Sequence, residues 1–323
     1  MHCFNNILVY VGSTDSKNAL GRAFEIAKEN GAKVTLMDVI KPVPSAIALL
    51  SSEIDPNEME RLLQEDRAKK LQELAGEFES GNAEVTVLVR SGDPAHEITR
   101  RVMRHGHDLV IKTADGESVA GQLFGSISRS LLRLCPCPVW LLKPQVHGDF
   151  DQILAAVDLD ATDDTHRNLN DQLLQLASAI ARLDNATLHV GSAWSLWMEQ
   201  SLRRRAGDDE IDQAIRAQET RIAQGLNDLI GKVDTDGIEV QTHLVRGNAA
   251  NEIFAVAEKV EADLIVMGTV CRTGVAGFLI GNTAENLLSN VTCSILAVKP
   301  DGFQSPVNVD DNGDSQEVIL PLV

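Results

Sequence analysis

The residues best suited to chemistry lie in Met267-Gly268-Thr-Val-Cys271-Arg272-Thr-Gly274-Val-Ala-Gly277-Phe-Leu-Ile-Gly281-Asn282-Thr283. Gly268 closes an apolar run, and Gly281 opens a stretch of helical periodicity. A helix N-terminus presents unpaired backbone N–H groups and the positive end of the helix dipole, which suits a phosphate. Glycines on either side let the backbone approach an anion and cradle it. Asn282 and Thr283 add side-chain donors at the helix start and serve equally as caps. Composition alone fits a ligand-free glycine-rich connection just as well.

No second chemistry competes with this segment. The chain has no G-x4-G-K-[ST] loop, no G-x-G-x-x-G turn and no G-x-S-x-G elbow. The cysteines are Cys3, Cys135, Cys137, Cys271 and Cys293, an odd set without regular pairing, which reads as free thiols in a reducing compartment. His105 and His107 read as a helix end and the turn after it. His189 and His243 read as core or rim positions on strands rather than zinc ligands. His166 follows the first strand of its half, within reach of a ligand there. Arg203-Arg204-Arg205 precedes Asp208-Asp209-Glu210 and reads as a solvated loop with its own counter-charge. Trp194 and Trp197 either line a cleft or pack as loop residues.

The elements that position these residues alternate. Apolar runs predict strands at 7–11, 34–39, 85–89, 109–112 and 139–142, and again at 153–157, 186–190, 240–245, 264–267 and 295–298. Helical spacing fills the gaps. A first helix carries Ala19, Ala23, Phe24, Ile26 and Ala27, and a longer one has Met59, Leu62, Leu63, Leu71, Leu74 and Phe78 on its apolar face. Further helices are expected at 94–105 and from 126, then at 165–183, 208–231, 249–260 and 282–290. Strands alternating with helices predict α/β architecture, with a parallel sheet covered on both faces. Ligands of such sheets bind beyond the C-terminal strand ends, where the strand order reverses.

The chain also repeats itself. Asp108-Leu-Val-Ile is echoed by Asp263-Leu-Ile-Val. Val119-Ala-Gly-Gln-Leu-Phe-Gly125-Ser126 is echoed by Val275-Ala-Gly-Phe-Leu-Ile-Gly281-Asn282, and Cys137-Pro-Val-Trp-Leu-Leu-Lys-Pro144 by Cys293-Ser-Ile-Leu-Ala-Val-Lys-Pro300. A repeat this long is a duplicated domain rather than a solenoid unit. The expected organisation is residues 1–146 and 147–301 as two domains, then an acidic tail over 302–323. A frayed tail is the expectation, and docking of its apolar end, Val318 to Val323, is the alternative.

Bulk properties narrow the partners. A net charge of −18 over 323 residues opposes nucleic acid and anionic membrane surfaces. No run approaches the roughly 18 apolar residues of a membrane span. The start Met1-His-Cys-Phe-Asn-Asn lacks a basic leader, so a cytoplasmic location is expected.

The spacing Gly268-x-x-Cys271, then nine residues, then Gly281-Asn282 resembles the G-x2-G-x9-G-(S/T/N) signature of nucleotide-binding universal stress proteins. Ile153-Leu-Ala-Ala-Val-Asp158 looks like that family's first strand, Leu188-His-Val190 like its second-strand ending, and Leu244-Val-Arg-Gly247-Asn-Ala-Ala-Asn-Glu252-Ile like its G-x-P-A-x-E-I segment. The resemblance covers about residues 6 to 300. With the duplication it points to the tandem, E-type members.

That resemblance implies two tandem, open-twisted, five-stranded Rossmann-like sheets related by a pseudo-two-fold axis. Their fifth strands, Val139–Leu142 and Ile295–Val298, would pair within the chain as a pseudo-dimer, with further homo-oligomerisation left open. It also implies a stress-response regulator binding ATP, AMP or ADP, with or without Mg²⁺. The nucleotide would be held by Ala156, Val157, Asp158, Val190, Met267, Gly268, Cys271, Arg272, Gly281, Asn282 and Thr283. Cys271 departs from the signature's second glycine. The first half departs further: Gly12 stands for Asp158, Thr113 for Gly268, and Asp115 and Glu117 add negative charge, while Gly125-Ser126 survives. It reads as a copy that keeps the fold without the ATP site. No general base or phosphate-neutralising lysine is evident beside the glycine loop, so binding is expected rather than turnover. A slow ATPase, or a scaffold with a lipid-like ligand in the first half, are the alternatives.

Overall fold

The computed structural model describes residues 4–12, 16–46, 55–78, 83–114, 124–143, 149–160, 163–269, 281–309 and 318–321. These fall into two compact units. The first holds 4–143 and the C-terminal segment from 303, and the second holds 149–269 and 281–302. Among the described residues, no helix is long and apolar enough to cross a membrane.

In the first unit, the strands β1 (Asn6–Tyr10), β2 (Lys33–Ile40), β3 (Val85–Ser91), β4 (Leu109–Thr113) and β5 (Val139–Leu142) are parallel, in the order β3-β2-β1-β4-β5. The order reverses at β1 and β4, where Ile7 faces Leu109 and Tyr10 faces Lys112. All five residues of β4 are buried, as expected when helices cover both faces of a parallel sheet. Helix α1 (Lys17–Asn30) buries Leu20, Ala23, Phe24 and Ala27. It stops at Gly31, whose φ of 68° lets its N–H reach back to the Ala27 carbonyl. Helix α3 (Pro94–His105) starts on Asp93, whose side chain accepts from the His96 N–H, and α4 (Ser126–Leu134) starts after Gly125.

Two expectations are corrected in this unit. Helix α2 (Pro56–Ala75) buries Gln64, Ala68, Leu71 and Ala75, while Met59, Leu62 and Leu63 are 39%, 52% and 47% exposed. At 3.6 residues per turn the two groups lie on opposite sides of the helix, and the small alanines allow the closer approach. The second correction is the tail. Val318–Pro321 is not frayed but forms β11, a sixth strand antiparallel to β3, with Val318 opposite Val89 and Pro321 opposite Thr86. The first sheet is therefore mixed rather than purely parallel and five-stranded. Upstream of β11, Arg100 Nε donates to the Asn308 carbonyl at 3.2 Å and Arg104 donates to that of Val309. The acidic stretch 310–317 lies outside the described residues.

The second unit has five parallel strands, β6 (Gln152–Ala156), β7 (Thr187–Trp194), β8 (Val240–Arg246), β9 (Leu264–Gly268) and β10 (Ser294–Val298), ordered β10-β9-β6-β7-β8. The reversal lies at β6 and β9, where Ala156 faces Met267. The helices are α5 (Asp164–Asp184), α6 (Glu199–Ala206), α7 (Asp208–Ile230), α8 (Ala249–Lys259) and α9 (Asn282–Asn290). Helix α6 corrects the reading of Arg203 to Arg205 as loop. None of its residues is fully buried: Leu202 packs against Trp194, Ile211 and Ile215, and Arg203 pairs with Glu199 at 2.9 Å, Asp208 at 3.2 Å and Asp212 at 2.6 Å.

Candidate functional site

In the second unit, a cleft of ≈ 380 Å³ opens where the strand order reverses, beyond the C-terminal ends of β6 and β9. Its floor is Ala156, Val157 and Asp158 after β6, with Met267 and Gly268 at the end of β9. One wall is the start of α5, through His166, Leu169, Asn170 and Leu173, a single helical stripe. The opposite side is Ala193, Trp194 and Ser195, with Gly247 and Ile253, and the far end is Gly281 at the head of α9. Leu169, Leu173, Ile253 and Leu287 give the interior apolar walls, and polar groups such as Asp158, His166 and Asn170 converge on it, the usual character of a small-molecule site.

Local structure explains each placement. Asp158 is fixed by Asn170: its N–H donates to Asn170 Oδ1 at 2.9 Å, and Asn170 Nδ2 donates back to the Asp158 carbonyl at 2.7 Å. Asp158 Oδ1 accepts from the Asp160 N–H at 3.2 Å, and Asp160 is held from α7 by Gln218 and Arg221. A Cβ at Gly268 would stand 2.7 Å from Leu169 Cδ2, so any larger residue there displaces the Leu169 side chain. Gly281 has φ −62° and ψ 146°, an extended conformation open to any residue. Its own N–H donates to the Thr269 carbonyl at 2.9 Å. That bond closes the loop between β9 and α9 at its base.

Asp163 caps α5 by accepting from the His166 N–H at 3.0 Å, and it also takes His166 Nδ1 at 2.8 Å. The His166 contact holds the Asp163 carboxyl below the usual range. No lysine or arginine lines the cleft among the described residues. Trp194 is 4% exposed, and the Arg246 guanidinium sits 5.7 Å from its ring centre while pairing with Glu199 of α6. Trp197 is 78% exposed and makes no part of the lining.

Of the residues singled out in the sequence, Ala156, Val157, Asp158, Met267, Gly268 and Gly281 come together here. Val190 does not. It is fully buried inside β7, which runs four residues past it to Trp194, so Ala193 to Ser195 occupy the rim. Cys271 and Arg272 lie outside the described residues, as do the side chains of Asn282 and Thr283. Asn170 went unnoticed in the sequence. The readable signal was a lone carboxamide in the otherwise apolar stripe Leu169, Leu173, Leu174 and Ala177.

The corresponding place in the first unit is built differently. Gly12 has φ 56°, and a Cβ there would meet the Tyr10 ring at 2.9 Å. Arg67 of α2 donates to the Gly12 carbonyl and to the buried Asp38 carboxylate. Lys112 is 2% exposed, with Nζ donating to the Thr113 carbonyl at 2.8 Å. Residues 115–123, with the expected charges Asp115 and Glu117, lie outside the described set. Elsewhere in the second unit, His189 Nδ1 and His243 Nε2 are 3.0 Å apart, and His189 Nε2 lies 2.7 Å from Gln152 Oε1. Burial lowers the pKa of both rings.

Comparison with known proteins places these features in a lineage. The sequence profile of the Universal stress protein family matches residues 4–143 and again 149–299. Universal stress protein E of Escherichia coli K12 is 28% identical over 320 residues, covering 97% of this chain and all of its own length. A Haemophilus influenzae homologue of that protein is 30% identical over 314 residues, covering 92% of this chain and 98% of its own. Among solved structures, a Pseudomonas aeruginosa UCBPP-PA14 protein described as a universal stress protein superposes with a TM-score of 0.63 at 29% identity, covering 93% and 95% of the two chains. One from Archaeoglobus fulgidus reaches 0.59 at 19% identity, over 92% and 96%, a likeness of fold.

Proposed function

Because the chain belongs to the universal stress protein family, we propose that its second domain binds an adenine nucleotide, ATP or its mono- or diphosphate relatives, as a cytoplasmic stress-response regulator. The observation that carries this is the cleft at the β6–β9 reversal, with Asp158 at one side and the N-terminus of α9 at the other. Its apolar walls suit a purine, and the head of a helix suits phosphate. Mg²⁺ commonly takes one or two carboxylates plus substrate phosphate oxygens, and Asp158 is the carboxylate lining this cleft. The Tyr10 ring against Gly12, and Arg67 tying Gly12 to Asp38, favour one site per chain rather than two.

Calorimetry with ATP on the wild type, Gly281→Val and Gly125→Val tests the reading. Gly281→Val is expected to abolish binding while leaving the fold intact, since φ −62° accommodates valine. Gly125→Val is expected to leave the affinity unchanged. Two equal sites, or loss in the Gly125 variant alone, would overturn the assignment. Turnover is expected at or below about 1 per second, the low end of ordinary enzymes. Faster hydrolysis lost in Asp158→Asn would favour an ATPase.

A further inference from the structure

The cleft leaves one ring nitrogen uncommitted. His166 lines it, with 13% of its side chain exposed. Nδ1 lies 2.8 Å from both carboxylate oxygens of Asp163, so with Asp163 ionised the proton on that nitrogen is fixed. Nε2 is buried and has no hydrogen-bond partner among the described residues. A buried polar atom without a partner costs free energy and calls for an explanation, of which a missing ligand is one. Position narrows the ligand group. His166 sits one turn outward of Leu169, the residue packed against Gly268. His166, Gly268 and Gly281 line the same cleft. A polyphosphate that meets the head of α9 at Gly281 is therefore in the same cleft as the open Nε2.

We propose that His166 is a phosphate-binding residue of this cleft, its Nε2–H donating to a phosphoryl oxygen of the ligand while Asp163 holds the proton on Nδ1. This rests on the nucleotide reading for the rest of the ligand, but the anion contact stands on its own geometry. With Nδ1 protonated toward Asp163, a neutral ring offers Nε2 only as an acceptor. A phosphoryl oxygen is also an acceptor, so binding takes one proton from solvent onto Nε2 and leaves an imidazolium bonded to the anion. Of the charged groups on this side of the cleft, Asp163 bonds Nδ1, Asp164 and Arg167 pair with each other at 3.2 Å, and Asp158, just after β6, lines the same cleft. The lack of Lys or Arg in the described lining leaves His166 as its source of side-chain positive charge.

The test uses the full-length protein with its histidines labelled with ¹⁵N, observed by NMR while inorganic tripolyphosphate, ATP or adenosine is added. The His166 ring nitrogens are assigned by their loss in His166→Ala. Tripolyphosphate and ATP should move them toward the imidazolium position, and adenosine should leave them unmoved. Calorimetry in buffers of different ionisation enthalpy should show about one proton taken up with ATP. His166→Ala should weaken ATP about 10-fold or more, the scale of one charge-assisted hydrogen bond, and leave adenosine affinity unchanged. His166→Gln tests whether a neutral donor of similar reach restores part of the loss without the proton uptake. If tripolyphosphate shifts His166 but no adenine compound binds, the phosphate contact stands and the nucleotide reading fails. If ATP binds equally to wild type and His166→Ala, or no phosphate compound moves the ring, the proposal is overturned.

Discussion

Replacing Asn170 by alanine isolates the contact that presents Asp158 to the cleft. Asn170 is 5% exposed and makes two bonds to one residue, accepting the Asp158 N–H at 2.9 Å and donating to the Asp158 carbonyl at 2.7 Å. Each bond contributes about 1 kcal/mol net, and a buried partner left unsatisfied costs about 1–3 kcal/mol. Asp158 is partly exposed, so water takes over part of the loss. The two bonds together should then cost about 2–3 kcal/mol. Urea slopes of small domains run about 1–3 kcal/mol per molar, so the midpoint of the second domain should fall by about 1 M. Far-ultraviolet circular dichroism and tryptophan fluorescence across a urea series would measure it. Asn170→Asp keeps an acceptor for the Asp158 N–H but loses the donor and sets a second carboxylate beside the first, so it should fall at least as far. A midpoint shift below about 0.3 M in the alanine variant, equivalent to under ~1 kcal/mol at that slope, would refute the account of Asn170 as the fixing residue.

The pH dependence of the first domain should carry the signature of His107. Burial, with Arg101 and His105 nearby, lowers this ring to about 4, against about 6.5 in an unfolded chain. Below pH 6.5 the unfolded chain binds the proton and the folded one does not. The contribution of His107 is therefore full above pH 6.5, declines as the pH falls toward 4, and levels off below that, a loss of up to about 3 kcal/mol. Urea midpoints from pH 7 to 4 should slope more steeply for the wild type than for His107→Asn, and equal slopes would contradict the burial argument. Ending the chain after Gly302 removes β11 and the carbonyls that Arg100 and Arg104 hold. The truncated protein should unfold at lower urea and self-associate through the bared edge of β3. An unchanged midpoint and sedimentation profile would show that the strand contributes nothing.

Most of the fold was legible because the apolar runs and the duplication agreed with each other. The departures have particular causes. Strand β7 was read as ending at Val190 because Gly191, Ser192 and Ala193 interrupt its apolar run, and that shifted the expected rim by four residues. Helix α6 packs only Leu202 against the core, too little for an apolar stripe to show it. Its signal was the i, i+4 pair Glu199 and Arg203. The exposed Leu62 and Leu63 drew the apolar face of α2 to the wrong side, because hydropathy does not reveal that Gln64 is the residue that faces inward. Strand β11 has an obvious apolar run, but its partner lies in another part of the chain, and no local pattern names β3. In the site, Gly268, Gly281 and Asp158 were visible through their resemblance to the family's nucleotide signature and first strand. Asn170 acts on backbone atoms 12 residues away, a relation that spacing does not encode.

The last strand also sets the order in which the molecule can be completed. Synthesis runs from the N-terminus at about 5–20 residues per second. Residues 142 and 318 are separated by about 175 residues, so a nascent chain with its first five strands made waits roughly 9–35 s for the sixth. Throughout that interval the outer edge of β3 displays a row of backbone donors and acceptors that β11 later pairs. A chain that stops anywhere before β11 therefore keeps an open edge in its first domain.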